Sequence, residues 1–444
     1  MFRKTLHISL AVVALAALPA CTGGNSSTGG KVSLHAIFLP ATWGTVVKDT
    51  LAPQYEKETG VHVDVQLIGR DAIHSKMATL FAAQDSTFDI FNLDYNWIPE
   101  FGGSGQLLQM DDMVSSSDRQ DFFPLALKVA TWQGKLYGIP QTVHPAILWY
   151  RTDLYGSADV KTQYQQATGQ QLEPPKTMAD WLQQAKFFNG KTFGGKTTYG
   201  WAAQAAKGFG NVHTWLSFLY TYGGQPFNAN FTKSTLNSPQ GIQATQQWGE
   251  MMKYMPPGAN SFTYDNVTAA AQQGTIATAL QWSWGAFAVD DQKASQTVGN
   301  WAYTQIPSAT AGQPSHPHLA EWVISVSKYS QHADEAKKFA AWLETKQNDV
   351  VQASLGGGDP VRQSSYTDTK LTDDKVPGTS VLRFRRFPQV LDAMKNALPR
   401  PFFANEERWE TTVTTPLQAV QLGQMDVPQA LAGADTAVNA SLQR

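Results

Sequence analysis

The sequence predicts an α/β chain with room for two domains. Strand-like and helix-like runs alternate from residue 31, which implies a sheet with parallel pairing covered by helices. The run FDIFNL is apolar almost throughout, as expected of a strand buried on both faces. The 444 residues suffice for two ordinary cores. With 42% hydrophobic residues, 16% charged residues and a net charge of −2, the composition points away from disorder and from nucleic-acid binding. The 14 Trp, 14 Tyr and 22 Phe form a heavy aromatic load, of a kind used both by cores and by clefts that bind rings.

The elements follow in order. MFRKTLHISLAVVALAALPAC sets Arg3 and Lys4 ahead of an apolar run from Ile8 to Leu18. That run falls short of the roughly 20 residues of a bilayer span, so residues 1–20 are expected to be an export signal. Cys21 is the only cysteine, which excludes an intramolecular disulfide. Residues 21–30, rich in Gly, Ser and Thr, have the composition of a flexible tether. KVSLHAIFL then has strand content, TVVKDTLAPQYEKETG carries helical spacing that stops at Gly60, and VHVDVQLI alternates as a strand. DAIHSKMATLFAAQ is expected to be a helix leading to the third strand, FDIFNL. Ligands in such sheets lie beyond the C-terminal strand ends, so the loops starting near Pro40, Gly69 and Asp94 are the first candidates for a site.

Several longer segments carry a more specific signal. They are FDIFNLDYNWIPEFGGSGQLLQMDD, GKLYGIPQTVHPAILWYRTDLY, PKTMADWLQQAKFF, AAAQQGTIATALQWSW, HLAEWVISVSKYSQHADEAKKFAAWL, GGGDPVRQSSYTD and DVPQALAGADTAV. In this order, from about residue 31 to the end, the chain resembles the extracellular solute-binding proteins of ATP-driven (ABC) importers, specifically their maltose-binding-like sugar group. Met178 stands where that group usually has Trp. The ending LPAC resembles a bacterial lipoprotein signal with an atypical Pro19, which makes Cys21 the lipid-modified first residue; the alternative is a plain secretory signal. The resemblance implies a two-lobe periplasmic-binding-protein-like α/β fold, with a hinge of crossing segments near Pro140, His316 and Pro360 and a ligand cleft between the lobes. Lobe 1 would comprise residues 31–140 and 316–360, and lobe 2 residues 141–315 and 361–444. The implied protein is a monomer anchored outside the membrane by its lipid. It would capture a sugar by lobe closure and deliver it to the transmembrane permease subunits, with no cofactor, metal or catalytic residue.

A pyranose presents an apolar C–H face and a fringe of hydroxyls, so its site needs flat rings plus charged or amide groups. If ALQWSW is a strand, Trp282 and Trp284 share a face, either as cleft walls or as core. Asp94, Tyr95 and Trp97 stand where a buried strand opens into a loop; Asp94 either accepts sugar hydroxyls or caps the next helix. Trp43 is a further stacking wall. His144 occupies the crossover where relatives often place an acidic contact, and Glu321 and Trp322 replace part of a Gly-Gly-Trp motif. In GGGDPVR, three glycines permit a tight turn or a close ligand approach. Asp359 and Arg362 either pair across that turn or contact sugar. Asn211 and His213, in the expected loop KGFGNVH, are candidate contacts from the second lobe.

No Walker loop, G-x-S-x-G elbow, H-E-x-x-H or Cys/His cluster occurs, which disfavours an enzyme. The HPH at 316–318 is expected in an exposed loop. Glu406, Glu407 and Glu410 are expected on a solvated helix face rather than as a glycosidase pair. The remaining alternatives are a polyol, a glycerol phosphoester and a polyamine. A phosphoester would need several cations, and Arg362 is the one cation among the candidates. A polyamine would need carboxylates at both ends of an aromatic slot.

Overall fold

A computed structural model describes residues 32–442, so the expected signal, the tether and the lipidation site at Cys21 lie outside it. Among the described residues the strands are β1 (Ser33–Phe38), β2 (His62–Leu67), β3 (Ile90–Asp94), β4 (Thr131–Trp132), β5 (Lys135–Leu136) and β6 (Ile139–Arg151). They continue with β7 (Lys191–Phe193), β8 (Lys196–Ala202), β9 (Ile276–Trp282), β10 (Trp301–Thr304) and β11 (Leu319–Val326). No described helix is long and apolar enough to cross a membrane.

The N-terminal elements follow the sequence pattern. β2 alternates between exposed and buried positions, while β3 is buried at every residue because the sheet is covered on both sides. β1 pairs in parallel with both β2 and β3. The helix Ala52–Thr59 ends where Gly60 adopts φ 78°, a left-handed conformation that glycine takes without steric cost. The helix Met178–Phe188 starts in a reciprocal capping box between Thr177 and Asp180.

Two crossing strands join the halves of the sheet. β11 runs antiparallel to both β3 and β6. The 13-residue β6 pairs with β11 through Ile139–Pro145 and then with β9 through Ala146–Tyr150. Its first part, Ile139 and Val143, packs in one apolar core with Phe38, Leu93 and Phe101. Its second part, Ala146–Trp149, packs in another with Trp201, Trp215 and Trp248.

Three expectations change. Residues Val361, Leu371, Phe384, Phe387 and Val390 join the first core, so the chain does not leave it for good near Pro360. β9 ends at Trp282, and Ser283–Asp290 forms a 3-10 helix, so Trp284 is not on the strand with Trp282. The side-chain carbonyl of Gln281 accepts the Trp282 N–H at 3.0 Å at this strand end. The segment expected to be a loop at 207–213 is helical from Phe209, part of the helix Phe209–Thr221.

Candidate ligand-binding site

The three loops after β1, β2 and β3 each bring a side chain to one region between the cores. Trp43 follows β1, Arg70 follows β2 and Asp94 ends β3. Trp43 is held by its indole N–H, which donates to Asn92 Oδ1 at 3.1 Å, while Asn92 donates to Gln141 Oε1 at 2.9 Å.

Around Trp43 gathers a set of rings. Its centroid lies 5.1 Å from His144, 5.2 Å from Trp284 and 5.9 Å from Trp322. Trp97 meets Trp322 edge to face at 6.2 Å, and Trp284 stacks on Tyr264 at 4.7 Å with 14° between the planes. Trp43, Trp97 and Trp322 belong to the first core, whereas Trp284 packs against both. Flat apolar surface from two bodies therefore meets in one place.

Beside the rings lies a network of buried charge. Asp94 accepts from Arg400 through Oδ1 and from Arg70 Nε through Oδ2 at 3.1 Å. Arg70 also donates to Glu407 at 2.7 Å, as does the Trp97 indole N–H at 2.6 Å, and Arg400 donates to Glu410 at 3.2 Å. Arg70 begins a helix of the first core, whereas Glu407 and Glu410 lie on the helix Glu406–Gln421, whose Trp409, Val413 and Leu417 pack in the second. These pairs tie the two bodies together. Burial would raise the Asp94 carboxyl, but Arg400 and Arg70 hold it down at about 2. Asp94 also caps the next turn by accepting from the Asn96 N–H, one of its two expected roles, while its remaining capacity goes to the two arginines.

A third set is polar, buried and without hydrogen-bond partners among the described residues. It comprises both ring nitrogens of His213 and of His318, both oxygens of Glu321, Gln281 Nε2 and Ser283 Oγ. The rings of His213 and His318 lie 4.6 Å apart, and Trp282 lies 5.8 Å from the first and 5.3 Å from the second. Burial and then the neighbouring charges lower both imidazoles well below their usual range, so both are neutral. Burial and then Asp94 raise Glu321 well above its ordinary value, which favours the neutral form able to donate a hydrogen bond. His213, Gln281 and Trp282 line a cavity of about 10 Å³. Buried polar groups rarely lack partners, and a concentration of them beside clustered indoles is the chemistry of a site for a hydroxyl-rich ring.

The profile of the family described as bacterial extracellular solute-binding protein matches residues 40–350. The chain belongs to this family. It is 25% identical over 357 residues to a probable ABC transporter-binding protein of Deinococcus radiodurans, covering 79% of each chain. It is 24% identical over 426 residues to the maltodextrin-binding protein of Bacillus subtilis, covering 93% of this chain and 86% of that one. An ABC transporter solute-binding protein of Agrobacterium radiobacter, solved in complex with ribitol, superposes with a TM-score of 0.79 at 22% identity over 92% of this chain and 98% of that one. The two-lobe fold expected from the sequence is the fold of this solute-binding protein.

The site of this binding protein differs in part from the sequence expectation. Trp43, Asp94, Tyr95, Trp97, His144, Trp284 and Trp322 converge around the rings and charges; the Tyr95 hydroxyl accepts the Arg400 N–H at 2.7 Å. Trp282 and Glu321 lie with the unpartnered groups. Asn211 does not contact the rings: it donates to the Thr414 carbonyl at 3.2 Å and accepts from the Thr414 hydroxyl, joining two helices. Asp359 and Arg362 do not pair. Three residues apart in extended chain, they point to opposite faces. Asp359 meets Arg386 at 2.6 Å, and Arg362 meets Asp118 at 2.8 Å and stacks on Phe122 away from the rings. The glycines nonetheless serve close approach: a Cβ on Gly358, at φ +112°, would fall 2.2 Å from the Thr142 hydroxyl.

Sequence reasoning missed Arg70, Arg400 and His318, and it misplaced three glutamates. His318 is fully buried rather than in an exposed loop. Glu406 and Glu410 are buried, and Glu407 is half-buried against Arg70 and Trp97, so EERWE is not a solvated face. The position of Arg70 directly after Gly69, at a strand end already marked as a candidate, was the available signal.

Proposed function

We propose that this chain is the capturing component of an ATP-driven importer and that it takes a sugar or polyol between its two lobes. One observation carries the reading: indoles from both cores meet beside buried polar groups that lack hydrogen-bond partners among the described residues. Relatives and structural neighbours that bind maltodextrin and ribitol support the same ligand class. Arg70 and Arg400 are matched by Asp94, Glu407 and Glu410, so neither is a surplus cation that would favour a phosphoester. The proposed lobe 1 is built mainly from residues 32–143 and 319–397, which supply the first core, and lobe 2 from 146–306 and 409–438, with Ala320 and Ala393 packing across into the second core. Closure of the lobes would let one ligand touch both and present a matching surface to the permease. The monomer is further proposed to be tethered through lipid on Cys21.

A thermal-shift panel of polyols, mono-, di- and trisaccharides, glycerol phosphate and spermidine tests the ligand class. A sugar or polyol at a hundredfold excess over its Kd should add about 2.7 kcal/mol to the stability of the native form. Stabilisation by glycerol phosphate or spermidine alone would overturn the reading. Loss of membrane association on Cys21→Ser would support the anchor.

A further inference from the structure

A groove of about 500 Å³ opens beside the ring cluster, lined by Thr42, Trp284, Phe287, Asp291, Gln292 and Arg383. Its volume lies within the range of about 300–1,000 Å³ usual for small-ligand clefts, whereas the cavity beside Trp282 holds about 10 Å³. Trp284 lines the groove and also belongs to the ring cluster around Trp43, so the groove continues the candidate site toward solvent. Its walls come from both bodies: Thr42 precedes Trp43, while Asp291 and Gln292 follow the 3-10 helix Ser283–Asp290. Gln292 Nε2 donates to the Pro377 carbonyl, linking the two sides.

That helix sets the chemistry of the groove. In a 3-10 helix residues i and i+3 eclipse one another, so Trp284 and Phe287 stand on one side, separated by a rise of about 6 Å. Trp284 is braced by Tyr264. Phe287 lies against Gly356, where φ is +81° and an added Cβ would fall 2.7 Å from its ring, and the Arg383 guanidinium sits 5.2 Å from its centroid. Both rings are partly exposed, with Asp291, Gln292 and Lys293 following them as a polar fringe. Two flat rings in series with hydrogen-bonding groups alongside match successive sugar rings. An open-chain polyol has no such faces, and a single ring would use Trp284 alone.

We propose that the ligand is an oligosaccharide whose outer rings occupy this groove, with Phe287 setting the preference for length. This rests on the sugar reading. Isothermal titration of the protein against glucose, maltose, maltotriose and maltotetraose, and against glucose through cellotetraose, tests it. In one series the tri- and tetrasaccharides should bind at least tenfold tighter than the monosaccharide. Phe287→Ala should remove most of that margin, and Phe287→Tyr should keep it. A monosaccharide or polyol binding as tightly as any oligomer would overturn the inference while leaving the sugar reading intact, as would an unchanged margin in Phe287→Ala. Failure of both series, of mannitol and of ribitol to bind would overturn both.

Discussion

Replacing Asp94 by Asn tests the buried network that joins the two bodies. The carboxylate takes Arg400 on one oxygen and Arg70 on the other, and its side chain is 4% exposed, so solvent screens these pairs little. Its pKa falls from 3.8 to about 2 on folding. That shift corresponds to about 2–3 kcal/mol of stability at pH 7. The substitution also takes one carboxylate from each guanidinium, but Arg70 keeps Glu407 and Arg400 keeps Glu410, so the cost should stay of that order. A depressed carboxyl stabilises above its unfolded pKa, and the effect fades as pH drops through the folded value. At pH 3 the contribution should therefore be about half of that at neutral pH. Urea titrations of wild type and Asp94→Asn at pH 7 and pH 3 should show a midpoint loss that shrinks with acid while the slope stays constant. An undiminished loss at pH 3, or none at pH 7, would refute the assignment of the stabilisation to this charge.

Further outcomes are expected elsewhere. Trp284→Ala removes a ring wall that is only partly buried, so sugar affinity should fall by about 1–3 kcal/mol with the circular-dichroism spectrum unchanged. Glu406 is raised by burial and by its neighbouring carboxylates more than Arg400 lowers it, so folding favours its neutral form and stability should decline as pH rises above the ordinary glutamate range. Glu406→Gln should flatten that decline in melting curves taken between pH 5 and 8; a decline as steep as wild type would count against it. Gly358→Ala forces a side chain into a φ of +112° and against Thr142 on the hinge strand, and should cost about 1–3 kcal/mol in urea unfolding.

Much of the architecture was present in local patterns. Alternation marked β2, an unbroken apolar run marked β3, and Gly60 marked a helix end, because propensity and capping act within a few residues. The strand-end rule located Trp43 and Asp94 without knowledge of any partner, since it follows from the hand and direction of the strands. Local reasoning failed where the deciding neighbour was distant. Asn211 is claimed by Thr414, Arg362 by Asp118 and Asp359 by Arg386, and no spacing in the chain announces such choices.

The sequence by itself determined the alternation of elements, the strand ends that face the cleft and the residue types able to hold a ring. Tertiary structure decided which of them meet. EERWE has the composition of a solvated helix face, yet Arg70 and Arg400 arrive from chain segments 337 and 10 residues away to bury its glutamates. Trp282 and Trp284 part company because the strand stops at Trp282 and the chain turns into the 3-10 helix Ser283–Asp290. Burial reverses the expectation for the glutamates: desolvation makes a charge seek its opposite, and those partners exist only once the chain has folded.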